Sequence, residues 1–133
     1  MGAPTSPADG FSGLSAIGQI AITVSDVDRA VAYYRDTLGM KLLFQFPGLG
    51  FFDCDGVRLM LTTPEKPGEP YSSIVYFKVP DIRQTHAALA ARGVEFEREP
   101  HLTARMPDHD LWMAFFRDPD RNLLALMCEL PRA

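Results

Sequence analysis

Ile20-Ala21-Ile22-Thr23-Val24-Ser25-Asp26-Val27 is answered 55 residues later by Val75-Tyr76-Phe77-Lys78-Val79-Pro80-Asp81-Ile82. In the first segment Ile20, Ile22 and Val24 alternate with Gln19, Ala21 and Thr23, the period of a strand with one face on an apolar layer. In the second, Val75, Phe77 and Val79 alternate in the same way. Each strand runs into a helix start. Ser25 or Asp26 can cap the first helix, whose apolar positions Val27, Ala30, Val31, Tyr34 and Leu38 recur at helical spacing up to Gly39. Asp81 with Gln84 makes a capping-box-like start for the second, with Ile82, Thr85 and Leu89 on its buried side and Gly93 at its end. A repeat at this spacing means two copies of one unit.

Three strand-like runs follow each helix. After Gly39 they are about Lys41–Phe46, Gly50–Cys54 and Val57–Thr62, separated by the turn signals Pro47-Gly48 and Asp55-Gly56. After Gly93 they are about Val94–Arg98, Leu111–Arg117 and Leu123–Glu129, the last two joined by Asp118-Pro119-Asp120-Arg121-Asn122. Each half therefore reads as βαβββ. A ferredoxin-like βαββαβ chain would have fewer strands between its helices than are found here. The pattern predicts an α+β fold: two βαβββ modules forming curled mixed sheets around a cleft, each backed by a helix. The modules span about residues 16–64 and 72–130 of a single domain, 16–133, with a Pro-rich linker at 63–71 and a flexible N-terminal tail at 1–15.

Composition narrows the function. At 133 residues the chain has the size of one domain, and 47% hydrophobic with 23% charged residues is a globular balance. A formal charge of −4 gives phosphate backbones little to bind, so no nucleic-acid partner is expected. No apolar run approaches the roughly 20 residues of a membrane helix. Cys54 and Cys128 lack disulfide or zinc spacing and read as free thiols of a cytoplasmic protein. No nucleophile-elbow, P-loop, dinucleotide or HExxH motif is present in the sequence.

The run from Ile20 to Ala30, the following Tyr33-Tyr34-Arg35-Asp36-Thr37-Leu38-Gly39-Met40, and the late Phe116-Arg117-Asp118-Pro119-Asp120-Arg121-Asn122 resemble the opening motif and the DPDGN turn of the vicinal oxygen chelate, or glyoxalase/bleomycin-resistance, family. The likeness spans about residues 17 to 130. It departs at Arg121, where the family usually has Gly. A left-handed backbone there costs an Arg roughly 1 kcal/mol, unless Asn122 takes that conformation instead. The resemblance implies a divalent metal held by one His, Glu or Gln from each of four strands. The matching positions are Gln19, Met60, Ile74 and Ala125. Only Gln19 could bind a hard cation, so neither metal nor other cofactor is expected.

Strand parity puts Gln19, Arg58, Met60, Ile74, Tyr76 and Ala125 on the cleft walls, with His101 at a strand end and Trp112, of the same parity as Phe116, as an aromatic wall. An interior Arg58 would need a Glu, an Asp or a ligand carboxylate. His101 with Asp108-His109-Asp110 is a second candidate cluster in what reads as a solvated loop, and His86 lies on the second helix. The leading expectation is a protein that binds a small, partly apolar molecule, with homodimers implied by the resemblance. The alternative is a lyase, isomerase or dioxygenase-like enzyme, either metal-free or with ligands relocated to His101 and His109.

Overall fold

Two four-stranded mixed sheets hold all the named strands of the computed structural model, which describes residues 17–64 and 73–132. The first contains β1 (Gln19–Thr23), β2 (Lys41–Phe46), β3 (Leu49–Cys54) and β4 (Val57–Thr62), in the order β1-β4-β3-β2. The second contains β5 (Val75–Lys78), β6 (His101–Arg105), β7 (His109–Arg117) and β8 (Leu123–Pro131), in the order β5-β8-β7-β6. β1 runs parallel to β4 and β5 parallel to β8, and the remaining pairs are antiparallel. Helix α1 (Val27–Ala32) covers the first sheet and α2 (Ile82–Ala91) the second. The expected tail at 1–15 and most of the expected linker fall outside the described residues.

Local chemistry accounts for the helix starts. Asp26 and Asp81 have extended backbones, and each carboxylate accepts a hydrogen bond from the amide three residues on, Arg29 and Gln84. Inside the first sheet Ile22, Leu59, Leu61 and Phe52 face the helix and are fully or almost fully buried. Gly50 sits on this face because a Cβ would come within 2.7 Å of Val31 Cγ2. The same core continues into Phe116, Leu124 and Leu126 of the second sheet, so one apolar layer underlies both halves. Each large side chain so buried is worth roughly 1.5–3 kcal/mol against exposure.

Three expectations are corrected and one open alternative is decided. Val94–Arg98 is not a strand: Val94 and Phe96 bury their side chains, but the backbone contributes only an isolated bridge between Phe96 and Phe116. The strand lies beyond Pro100, at His101–Arg105, with a bulge between Leu102 and Ala104. The loop expected around Asp108-His109-Asp110 is correspondingly shorter, because His109 and Asp110 already belong to β7. The first helix does not run evenly to Leu38. It widens after Ala32 into a π-helical turn, Tyr33–Thr37, with Leu38 N donating to Tyr33 O. Finally, Arg121 and not Asn122 takes the left-handed conformation, at φ 68°.

The two halves are fastened on the helix side. Tyr34, at 0% exposure, donates its hydroxyl to Asp118 Oδ2 at 2.9 Å. The buried Asp118 carboxylate also accepts from the amides of Asp120 and Asn122 and from Asn122 Nδ2, at 2.8–2.9 Å. Asn122 Nδ2 in turn reaches Thr23 O, and Asp120 Oδ1 accepts from the Ser25 amide and from Arg29. Burial, then the Asp118 charge, pushes the Tyr33 phenol up to about 12, and burial with Asp118 pushes Tyr34 in the same direction. A raised phenol favours the folded state fully below the unfolded value of 10.0 and loses that contribution as pH rises through the folded value. The urea midpoint should therefore hold up to pH 10 and fall between 10 and 12, and fall less in Tyr33→Phe. Equal alkaline losses in both proteins would show that Tyr33 is not coupled to folding.

Candidate functional site

Strand register arranges the uncovered face of the first sheet in rows. Gln19, Arg58, Asp53 and Lys41 lie side by side across the four strands. The next row is Ala21, Met60, Phe51 and Phe44, and the third is Thr23, Thr62, Leu49 and Phe46. A polar row thus borders an apolar one. Phe44 and Phe46 pack on one another with ring centroids 5.5 Å apart, yet remain 39% and 55% exposed. The second sheet repeats the design with Tyr76, Ala125 and Phe115 in one row and Lys78, Met127, Met113 and His101 in the next.

The register relates the four metal positions implied by the resemblance in pairs. Met60 lies beside Ala21, one pleat beyond Gln19, and Ala125 lies beside Tyr76, one pleat beyond Ile74. Ile74 itself immediately precedes β5 and is 43% exposed. Gln19 Nε2 points at Met60 Sδ, 3.7 Å away. A thioether, a sec-butyl group and a methyl group offer no donor to a hard cation, and one amide oxygen is too few. The family's metal therefore does not fit these residues. Among the described residues no group of three or more His, Cys, Asp or Glu side chains is placed to hold an ion.

The other candidates separate. His101 begins β6 opposite Met113, whereas His109 begins β7 four residues before Met113, roughly 13 Å away at the strand rise. They do not form a joint site. His109 is held by Asp108 at 2.7 Å and by Glu129 at 3.1 Å, and Lys78 closes the chain on Glu129 at 2.7 Å. These contacts hold the Asp108 and Glu129 carboxyls below the usual range, through the His109 and Lys78 hydrogen bonds respectively. Among the described residues, no carboxylate orients His101. Its Nδ1 is buried without a hydrogen-bond partner, and its ring lies 6.3 Å from that of Phe115. His86 packs on Phe96 with centroids 4.2 Å apart, in the layer beneath α2.

One expectation about the walls changes. Trp112 is not on the open face. It shares the parity of Ala114 and Phe116, packs against the core, and carries Arg83 of α2 over its ring at 5.3 Å. Phe115 and Met113 supply the second sheet's wall instead. Parity could have selected them, but every residue from Leu111 to Phe116 is apolar, so the sequence offered no phase. Arg58 has no carboxylate partner among the described residues; its guanidinium lies over Phe51, 5.5 Å from the ring centroid.

Hollows of about 410 Å³ and 260 Å³ open on the other side of the sheets. The larger is bounded by Tyr33, Val94, Phe96, Arg117 and Arg121, whose polar groups are partly engaged within it, Arg117 with Glu97 at 3.1 Å. The smaller lies among Leu38, Met40, Phe77 and Leu89 under α2. Neither includes a residue of the rows at Met60 or Ala125.

Paired βαβββ modules with free sheet faces define the structural class. The chain belongs to the Glyoxalase/Bleomycin resistance protein/Dioxygenase superfamily, whose model matches residues 16–126. It is 30% identical over 126 residues to the uncharacterized protein YraH of Bacillus subtilis, covering 81% of this chain and 94% of that one. Among solved structures, lactoylglutathione lyase from Agrobacterium tumefaciens is similar at 25% identity and TM-score 0.69, over 86% of this chain and 94% of that chain. TnmS3, an antibiotic binding protein from Streptomyces sp. CB03234, is similar at 24% identity and TM-score 0.70, over 90% of this chain and 99% of that one.

If the four positions converge, restoring donors should create a metal site. Met60→Glu combined with Ile74→His, beside the native Gln19, is expected to retain about one zinc per chain after desalting, while the parent retains none. Failure of the variant to gain metal would mean that the positions face different spaces.

Proposed function

We propose that this chain is a metal-independent binding protein that holds a small, partly apolar molecule in a cleft between the open sheet faces. The observation that carries the reading is the pair of rows Ala21-Met60-Phe51-Phe44 and Tyr76-Ala125-Phe115, apolar where the family's chemistry needs donors. Apolar walls with a few polar groups are the usual composition of a small-molecule site. The fold shared with an antibiotic binding protein fits this use. Acid–base catalysis draws less support, because among the described residues no carboxylate orients His101 and both ring nitrogens of His109 are engaged by Asp108 and Glu129.

The reading includes a homodimer. Phe44, Phe46, Ile74 and Tyr76 are each at least 39% exposed, and apolar side chains gathered on sheet faces favour a covering partner. A cytoplasmic location goes with the free thiols of Cys54 and Cys128, and no helix among the described residues is long and apolar enough to cross a membrane.

Native mass spectrometry of freshly purified protein tests these claims together. The expected species is a dimer that carries no divalent metal and loses any bound small organic molecule on collisional activation. One metal ion per chain, retained by the parent and lost in Gln19→Ala or His101→Ala, would overturn the reading in favour of a metalloenzyme.

A further inference from the structure

Resting on the cleft reading above, we infer that the ligand carries a carboxylate, bound by Arg58 and Gln19 at the end of the apolar row, and that its body is flat and aromatic or conjugated. The rows give it this polarity. Gln19, Arg58, Asp53 and Lys41 lie one pleat from Ala21, Met60, Phe51 and Phe44, so an anion at Arg58 continues directly into an apolar body along the strands.

Arg58 is available for this role. Three basic side chains share the open-face rows: Lys41, Arg58 and Lys78. Lys78 is bound to Glu129, whereas Arg58 and Lys41 have no carboxylate partner among the described residues. Asp53 is the lateral neighbour of Arg58, but its carboxylate accepts from the Gly56 amide at 3.1 Å and so serves the Asp55-Gly56 turn. The row holds two cations and one carboxylate in a chain of formal charge −4, a local reversal of sign.

Geometry supports the same assignment. The exposed Arg58 guanidinium lies over the Phe51 ring at 5.5 Å, within cation–π reach, which anchors the side chain beside the apolar row. An Arg so placed suits bidentate binding of a carboxylate, and the lateral Gln19 amide adds a neutral donor. Phe51 and Met60 then offer an adaptable floor for a flat body.

The test is calorimetric titration with 2-naphthoate and with 2-acetonaphthone, a neutral probe of similar shape, against wild type, Arg58→Gln and Phe115→Asp. Wild type should bind naphthoate roughly five- to tenfold more tightly than the ketone, a preference that shrinks with added salt. In Arg58→Gln naphthoate should fall to the ketone's affinity while the ketone is unchanged. Equal affinities in wild type, or no effect of Arg58→Gln on naphthoate, would overturn the carboxylate assignment. Ketone binding that Phe115→Asp abolishes would leave the cleft reading standing in that case. Binding of neither probe to wild type would remove both.

Discussion

One buried carboxylate holds the two halves of this molecule together. Asp118 is only 3% exposed, and an ionised group taken so far out of water costs several kcal/mol unless its lone pairs are filled. Four donors fill them: the Tyr34 hydroxyl from the first half, and two amides and a side-chain amide from its own turn. Meeting that demand requires Asp118-Pro119-Asp120-Arg121-Asn122 to curl tightly, and the left-handed Arg121 lets it do so. It also aligns with the wide π-helical turn that brings Tyr33 to Arg117 O and Tyr34 to Asp118. These fastenings lie at helix, turn and the end of β1, away from the rows at Met60 and Ala125.

Freed from that task, the open faces carry a distinct chemistry. Inward positions such as Ile22, Phe52, Leu61, Phe116 and Leu124 are set by packing under the helices. Alternate residues are set by nothing in the core, and on the first sheet they sort into a charged row and an apolar row. The register that brings Gln19 beside Arg58 and Met60 beside Phe51 makes one end of the face suited to an anion and the middle suited to a ring. A fold shared with proteins named as a lyase and as an antibiotic binding protein has, in this chain, thioether and hydrocarbon at the positions where the family resemblance implies metal ligands.

Much of the fold was legible because its signals are local. Strand alternation at Ile20–Val24 and Val75–Val79, carboxylate caps at Asp26 and Asp81, and the Asp-Gly turn needed no tertiary knowledge. What escaped is what tertiary structure decides. Val94 and Phe96 alternate like a strand but pack beside α2 without a ladder, whereas His101–Arg105, in which only Leu102 and Ala104 alternate with polar residues and a bulge breaks the register, is recruited by the edge of β7. The uniform apolar run Leu111–Phe116 hid its phase, which sent Trp112 to the wrong face. For the candidate site, motif spacing and strand parity sufficed to put Gln19, Arg58 and Met60 on one face of β1 and β4, while the freedom of Arg58 depended on Asp53 being drawn to Gly56, a contact no pattern announces.

The most direct measurement is a residue-resolved NMR titration of the isotope-labelled protein with 2-acetonaphthone, read against an added divalent metal. A metal-free apolar cleft predicts saturable amide shifts concentrated at Ala21, Phe51, Met60, Tyr76 and Phe115, unchanged by zinc or manganese. Shifts confined to the helix-side hollows around Phe96 and Arg117 or Leu38 and Leu89, or shifts at the sheet faces that appear only with metal, would contradict it.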